Sequence, residues 1–303
     1  MNRVGRLVFE PRELWWEAGG IRHPAITEFA GRKYMLYEAV GADHLHRFGL
    51  AVSEDGEHFE RFDTPHLEGD EHSTLDRLGI TCPRITKIDR DYQITYASLS
   101  VKSANTINQA AAVPWRSRIG LMTTRDFRRF DRHGVIVPDL DTHNPVLFPT
   151  KIQGNYWLLH RLEKGIHASV ATSLRTFGGG YQLLEPESAW ETGGISAACA
   201  PIEIERGWLL FYNALDSKGV SRGGAVLLDR QNPAFVIART KQPLLEAVEP
   251  WEKRGHDQRG VQIGSVLQSE NELQIYYGAG AKVIGLAKLR VDAVLQSLGL
   301  PTT

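Results

Sequence analysis

Arg22-His23-Pro24-Ala25-Ile26, Thr81-Cys82-Pro83-Arg84-Ile85, His143-Asn144-Pro145-Val146-Leu147 and Cys199-Ala200-Pro201-Ile202 share one pattern: polar or small residues, a proline, then an apolar run. A fifth copy, Val261-Gln262-Ile263-Gly264-Ser265-Val266, has lost its proline. Pro24 to Pro83 is 59 residues, Pro83 to Pro145 is 62, Pro145 to Pro201 is 56, and Pro201 to Gly264 is 63. Five repeats of this length fill the chain, and self-similarity at a fixed period is the signature of a repeat architecture.

Each lead-in is followed by a turn and a second run rich in aromatics, at 31–37, 91–96, 154–159, 207–212 and 272–277. A third run follows at 48–52, 118–122, 168–172, 223–228 and 283–287. Period-two alternation, β-branched and aromatic enrichment and Gly/Asn/Asp punctuation are strand signals. Helical periodicity appears only over 291–298. A unit of three or four short antiparallel strands cannot bury both of its faces, whereas five units packed around an axis can. The expectation is an all-β chain: one five-bladed β-propeller domain over residues 1–303, with a short C-terminal helix. Its blades would begin near residues 22, 81, 143, 199 and 261. Leu7-Val8-Phe9 is placed to pair into the last blade and close the ring.

Composition narrows the partners. With 35 basic and 36 acidic side chains the net charge is -1, which gives no electrostatic footprint for nucleic acid. No run of 18 apolar residues offers a membrane span. The first ten residues lack the apolar core of a signal peptide, so the cytoplasm is the expected compartment. Two cysteines, Cys82 and Cys199, cannot build a disulfide framework. No cofactor is expected, and the oligomeric state is left open.

In a propeller the inner strands run the same way, so their starts meet at one mouth. That brings together Arg22 and His23, then Asp76, Thr81, Cys82 and Arg84, then Asp141, His143 and Asn144. The ends of the second strands add Glu38, Tyr96, His160, Arg161, Asn213 and Tyr277. Such a polar ring reads as a ligand pocket, with a merely solvated channel as the alternative.

Several strings carry a family likeness. They are 79–89 around Thr81-Cys82-Pro83-Arg84, 146–152, Leu159-His160-Arg161, 207–212, 236–240, and Tyr276-Tyr277-Gly278-Ala279 with Ile284-Gly285-Leu286-Ala287. Together they resemble glycoside hydrolase family 130, the β-mannoside phosphorylases and hydrolases, over nearly the whole chain. The resemblance implies a five-bladed propeller and a carbohydrate ligand. It also implies specific departures. The family motif Gly-Val-Glu-Asp-Pro-Arg carries the general acid on its Asp, and that position here is Cys82, preceded by Thr81. A sugar-binding Asn corresponds to His23, a sugar-binding Arg to Glu38, and an Asp of the last blade to Ala281. Of the phosphate-holding residues only Arg161 is kept, the others falling at His143, Gly194 and Asn213. A phosphate nucleophile would lack charge neutralisation, so phosphorolysis is not expected.

Glycoside cleavage normally uses two carboxyl groups. Glu38, Asp76 and Asp141 are the candidates, with ion pairing to an arginine as the plainer role of each. His23 or His143 could serve as an acid near neutral pH. Cys82 is open to three readings: inert packing, a thiol nucleophile, or a zinc ligand with His23, His143 and Glu38 or Asp141. His23, Arg84, His143, Asn144, Arg161, Asn213 and Tyr277 are the candidate substrate-binding residues. The planar forks of Arg84 and Arg161 suit a carboxylate or vicinal hydroxyls, and bracing between blades is their alternative. Tyr37, Tyr96, Trp115 and Tyr277 could offer a stacking surface. The 101–116 insertion could form a lid. The 246–259 insertion, with Trp251, His256, Asp257 and Arg259, could complete the rim. His44-Leu45-His46 reads as an exposed loop. The expected activity is hydrolysis of a glycosidic bond in an oligosaccharide or glycoside. A silent sugar-binding propeller and a thiol- or zinc-dependent glycosidase are the alternatives.

Overall fold

The computed structural model describes residues 5–70, 72–101, 115–253 and 259–301. Strand β1 (Gly5–Phe9) precedes the first repeat. Blade 1 holds β2 (Gly20–Phe29), β3 (Arg32–Val40), β4 (His46–Ser53) and β5 (Glu60–Arg61). Blade 2 holds β6 (Gly79–Ile88), β7 (Asp91–Val101), β8 (Trp115–Thr124) and β9 (Asp131–Val135). Blade 3 holds β10 (His143–Leu147), β11 (Tyr156–Leu162), β12 (Gly165–Ala171) and β13 (Tyr181–Leu184). In blade 4 the inner strand is split into β14 (Gly194–Ala197) and β15 (Ile202–Ile204), followed by β16 (Gly207–Leu215), β17 (Val220–Leu228) and β18 (Val236–Arg239). Blade 5 holds β19 (Arg259–Ser269), β20 (Glu272–Ala279) and β21 (Val283–Arg290), and helix α1 (Val291–Ser297) follows.

The fold is a five-bladed β-propeller. β1 pairs antiparallel with β21, Arg6 opposite Leu286, so the N-terminal segment supplies the fourth strand of the last blade, as the sequence had indicated. Neighbouring blades also touch at their inner ends. β4 meets β6 at His46 and Gly79, and β17 meets β19 at Ser221 and Gly260.

In blades 1, 2 and 3 the repeat proline lies inside the inner strand, not at its head, and in blade 4 Pro201 falls between β14 and β15. The strands of blades 1, 2 and 4 therefore start at Gly20, Gly79 and Gly194, ahead of the proline lead-ins. Proline cannot donate to a ladder, so within a sheet it is confined to an edge or a bulge. The register slips between Arg22 and Ala25, between Thr81 and Arg84, and between His143 and Val146. In each slip the residue before proline is left-handed: His23 at φ 49°, Cys82 at φ 54° and Asn144 at φ 54°. A non-glycine residue held there inside a strand is strained, and a bulge re-aims its side chain. Blade 5 slips at Gly264 instead. A Cβ at Gly264 would lie 2.2 Å from the Pro24 carbonyl oxygen, so glycine permits the blade 5 to blade 1 contact that closes the ring.

A second repeat locks the blades together. Trp16, Trp190 and Trp251 stack on Tyr37, Tyr212 and Tyr277. The adjacent Glu17, Glu191 and Glu252 accept the hydroxyl protons of those tyrosines. Each ring lies across from a glycine of the third strand: Tyr37 from Gly49, Tyr212 from Gly224, Tyr277 from Gly285. An outer-strand arginine balances the acid in two blades, Arg61 against Glu17 and Arg239 against Glu191. Asp76 with Arg132 is the blade 2 version, beside Tyr96 opposite Gly120. Burying such rings is worth roughly 1.5–3 kcal/mol each.

Candidate active site

The axis opens at one end into a cavity of about 470 Å³ lined by residues of all five blades. Its wall follows from one register rule. Each inner strand meets its second strand there in a matched pair: Arg22 with Glu38, Thr81 with Ala97, His143 with Arg161, Ser196 with Asn213, Gln262 with Gly278. Successive strand residues face opposite ways. The residues one place earlier on the second strands, Tyr37, Tyr96, His160, Tyr212 and Tyr277, therefore point between blades.

Glu38 is the hub. It is fully buried, and its two oxygens receive five donors. Oε1 accepts from Arg22 Nε at 2.8 Å and His46 Nδ1 at 2.7 Å. Oε2 accepts from His23 Nδ1 at 2.6 Å, from the Cys82 amide at 3.0 Å, and from the Thr81 hydroxyl. Burial alone would raise the Glu38 carboxyl, but the charges of Arg22 and His23 and these bonds hold it well below its ordinary value.

His23 is held at both ends. Nδ1 faces Glu38, and Nε2 lies 3.1 Å from Gln262 Oε1. Two acceptors call for two donating nitrogens, which is the imidazolium. Burial works against that charge, yet Cys82 and Glu38 outweigh it and lift His23 above its ordinary value. Sγ of Cys82 lies 3.6 Å from His23 Nδ1 and 4.0 Å from Nε2. Burial pushes the Cys82 thiol up, but His23 outweighs it and brings the thiol below its ordinary value.

Arg84 lines the cavity. It is buried, Nη1 donates to the Pro83 carbonyl at 2.7 Å, and Nε has no hydrogen-bond partner among the described residues. Arg161 is tied through Nε to the Glu163 carbonyl at 3.1 Å and through Nη2 to the Gly193 carbonyl at 3.2 Å. Among the described residues neither arginine has a carboxylate within ion-pair distance. His143 lines the cavity, and burial followed by Arg161 pushes it down to about 4, keeping it neutral. Asn144 and the half-exposed Trp115 complete the polar and aromatic lining.

Several sequence expectations are corrected here. Asp141 is not in the cavity: it is 38% exposed and bound to Arg116 at 3.0 Å and Arg118 at 2.9 Å. Asp76 is the blade 2 counterpart of Glu17 and Glu191, paired with Arg132 at 3.1 Å, so its work is between blades. Tyr277 is buried against Trp251 and donates to Glu252, and Tyr37 and Tyr96 are buried too, leaving Trp115 as the one exposed ring of that group beside the cavity. Asn213 lines the cavity but spends its amide on the Ile263 backbone, at 2.8 and 2.7 Å. The sulfur-bearing cluster is His23, Glu38 and Cys82, without His143. A metal among these three would have to displace donors from a carboxylate already saturated by two cationic neighbours, so the set fits a metal poorly. Residues 102–114, His256 and Asp257 lie outside the described residues.

His46, read as part of an exposed loop, was missed. It opens β4 and bonds Glu38, and Gln262 was missed with it. The signal available for His46 was its place at the start of a third strand, beside the mouth.

A family model described as beta-1,4-mannooligosaccharide phosphorylase matches residues 23–299. The chain belongs to glycoside hydrolase family 130. It is 31% identical to the 1,2-beta-oligomannan phosphorylase of Thermoanaerobacter sp. (strain X514), over 92% of this chain and 93% of that one. It is 30% identical to the beta-1,2-mannobiose phosphorylase of the same organism, over 97% and 99%. Its fold superposes on the beta-1,2-mannobiose phosphorylase from Listeria innocua in complex with beta-1,2-mannobiose, with a TM-score of 0.81, 23% identity and 92% of each chain covered.

The family resemblance puts the general acid at Cys82, and no Asp or Glu is among the described cavity-lining residues. The four positions likened to the family's phosphate holders, His143, Arg161, Gly194 and Asn213, do line the cavity, with one guanidinium among them. As a member of this family the chain is a carbohydrate-active enzyme, and its described cavity lining presents the thiol of Cys82 and the ring of His23 where glycoside cleavage normally uses two carboxyls.

Proposed function

We propose that the axial cavity takes a carbohydrate and that the chain hydrolyses a glycosidic bond in it, with Cys82 as nucleophile and His23 as acid and base. The observation that carries this reading is the Cys82–His23–Glu38 contact at the family's acid position, in a cavity with no accessible carboxylate among its described lining residues. Sγ of Cys82 would attack the anomeric carbon as its bond to the leaving oxygen breaks, and His23 would give that oxygen its proton. A water would then lose a proton to His23 and displace the sulfur, restoring the thiolate and imidazolium. Two displacements at one carbon give retention of configuration. Glu38 orients His23 and favours its charged form, the positioning role of the third member of a triad. A single cation at the four phosphate-holder positions supports water over phosphate as acceptor. A working thiol also fits a reducing compartment, and we take the cytoplasm as its location. Among the described residues no helix is long and apolar enough to cross a membrane.

The test is turnover of manno-oligosaccharides and other oligosaccharides with and without inorganic phosphate. Expected are unphosphorylated sugars, a loss of at least about 100-fold in Cys82→Ser, and a thioglycosyl adduct on Cys82 by mass spectrometry. Sugar phosphates as products, or full activity in Cys82→Ser, would sink the reading. Binding without turnover would leave a sugar-binding propeller.

A further inference from the structure

Three guanidinium groups, Arg22, Arg84 and Arg161, line the cavity, and one carboxylate, Glu38, stands behind them. Moving the proton between His23 and Cys82 does not alter that imbalance, because the pair carries no net charge in either form. Arg22 is matched by Glu38. Arg84 and Arg161 are not matched by a carboxylate of the described residues. Burial disfavours the charge on both. A buried charge without a partner is among the costliest features a fold can keep, and proteins keep it where a ligand supplies the partner.

The free edge of Arg84 narrows the ligand. Nη1 is spent on the Pro83 carbonyl, while Nε is buried and unbonded among the described residues, in a side chain that lines the cavity. Nε and the Nη beside it present two parallel N–H groups, the fork that matches a planar carboxylate. We infer that the carbohydrate taken by this cavity carries a carboxylate, a uronic acid unit, bound on the Nε edge of Arg84 with Arg161 as the second cation.

The inference rests on the reading of the cavity as a carbohydrate site, and its test needs no turnover. Calorimetry and thermal unfolding of the wild-type protein compare D-glucuronate, D-galacturonate and D-mannuronate with the matching neutral hexoses and with inorganic phosphate. At least one uronate is expected to bind about tenfold or more tighter than its hexose, a difference that one charge-assisted pair supplies. Arg84→Gln is expected to raise the ligand-free Tm, since it removes an uncompensated buried charge, and to erase the uronate preference. Equal binding of uronate and hexose overturns the inference. So does a fall in ligand-free Tm in Arg84→Gln, which would make Arg84 a brace between blades. A phosphate shift that depends on Arg84, without a uronate shift, overturns it as well. The wild-type comparison stands if the variant does not fold. Uronate binding without cleavage would sink the enzymatic reading alone, and cleavage of neutral oligosaccharides with no uronate preference would sink this inference alone.

Discussion

Sγ of Cys82 lies 3.6 Å from Nδ1 of His23, and the two residues occupy the same bulge position in successive blades. Both are left-handed and both precede a proline. The bulge turns each side chain out of the blade and into the axis, so two residues 59 positions apart meet by symmetry of the fold. Glu38 then bonds the ring of one and the backbone amide of the other.

Glu38→Gln is expected to destabilise the fold by about 3–5 kcal/mol, because the amide leaves Arg22 and His23 as buried cations without their counter-charge. Turnover should fall with it. Asp141→Asn, by contrast, breaks exposed pairs and should change stability by about 1 kcal/mol or less. Urea unfolding of the two variants side by side checks the contrast. Comparable losses would mean that Glu38 is not the hub.

His143 and His160 are each pushed down to about 4, His143 by burial and Arg161, His160 by burial and the neighbouring His167 and His143. A group whose folded value is depressed gives stability that is complete above its unfolded value, about 6.5, and is lost as pH falls towards the folded value. The unfolded chain binds protons between pH 6.5 and 4 that the folded chain refuses. Stability should therefore fall with acidification across that window, by up to about 1.4 kcal/mol per pH unit for each histidine. His160→Gln should flatten the slope measured by urea midpoints at pH 4.5, 5.5, 6.5 and 7.5. An unchanged slope would mean that His160 does not stay neutral.

Gly264→Ala places a Cβ 2.2 Å from the Pro24 carbonyl oxygen, in backbone that cannot yield without opening the contact between the last and first blades. A loss of about 2–4 kcal/mol is expected, in the range of severe overpacking. Differential scanning calorimetry would show it as a lowered Tm. A Tm within a degree of wild type would mean that the ring closes without this approach.

The repeat was legible because four proline lead-ins and a fifth copy without the proline recur at nearly constant spacing, and a ring of blades is the arrangement that buries them. Strand starts were less legible, since proline marks a bulge inside the strand. The site divides along the same line. His23, Cys82, Arg84 and Arg161 could be read from register, as could Glu38, but its buried role as a saturated hub could not. Asp76 and Tyr277 were misread because their partners, Arg132 and Glu252, are distant or outside the proline repeat. Alternation also decides Tyr277: it stands one place before Gly278, which faces Gln262 at the cavity, and so turns the other way.

The two cysteines should separate cleanly by alkylation. Both are buried, Cys82 at 7% and Cys199 at 5% exposure, so exposure does not distinguish them. Electrostatics does. Cys199 is pushed up to about 12 by burial, which Arg84 only partly offsets, and it should stay a thiol. Cys82 opens onto the cavity and faces His23, which brings it below its ordinary value. The thiolate is the reactive form. Iodoacetamide on the folded protein is therefore expected to label Cys82 alone, with a midpoint below the ordinary thiol value of about 8.5. His23→Gln should move that midpoint upwards, because it removes the cation facing the sulfur. Peptide mass spectrometry across pH 5 to 9 reads both effects. If neither cysteine reacts before unfolding, Cys82 is a packing residue, and the nucleophile proposed for this cavity is lost.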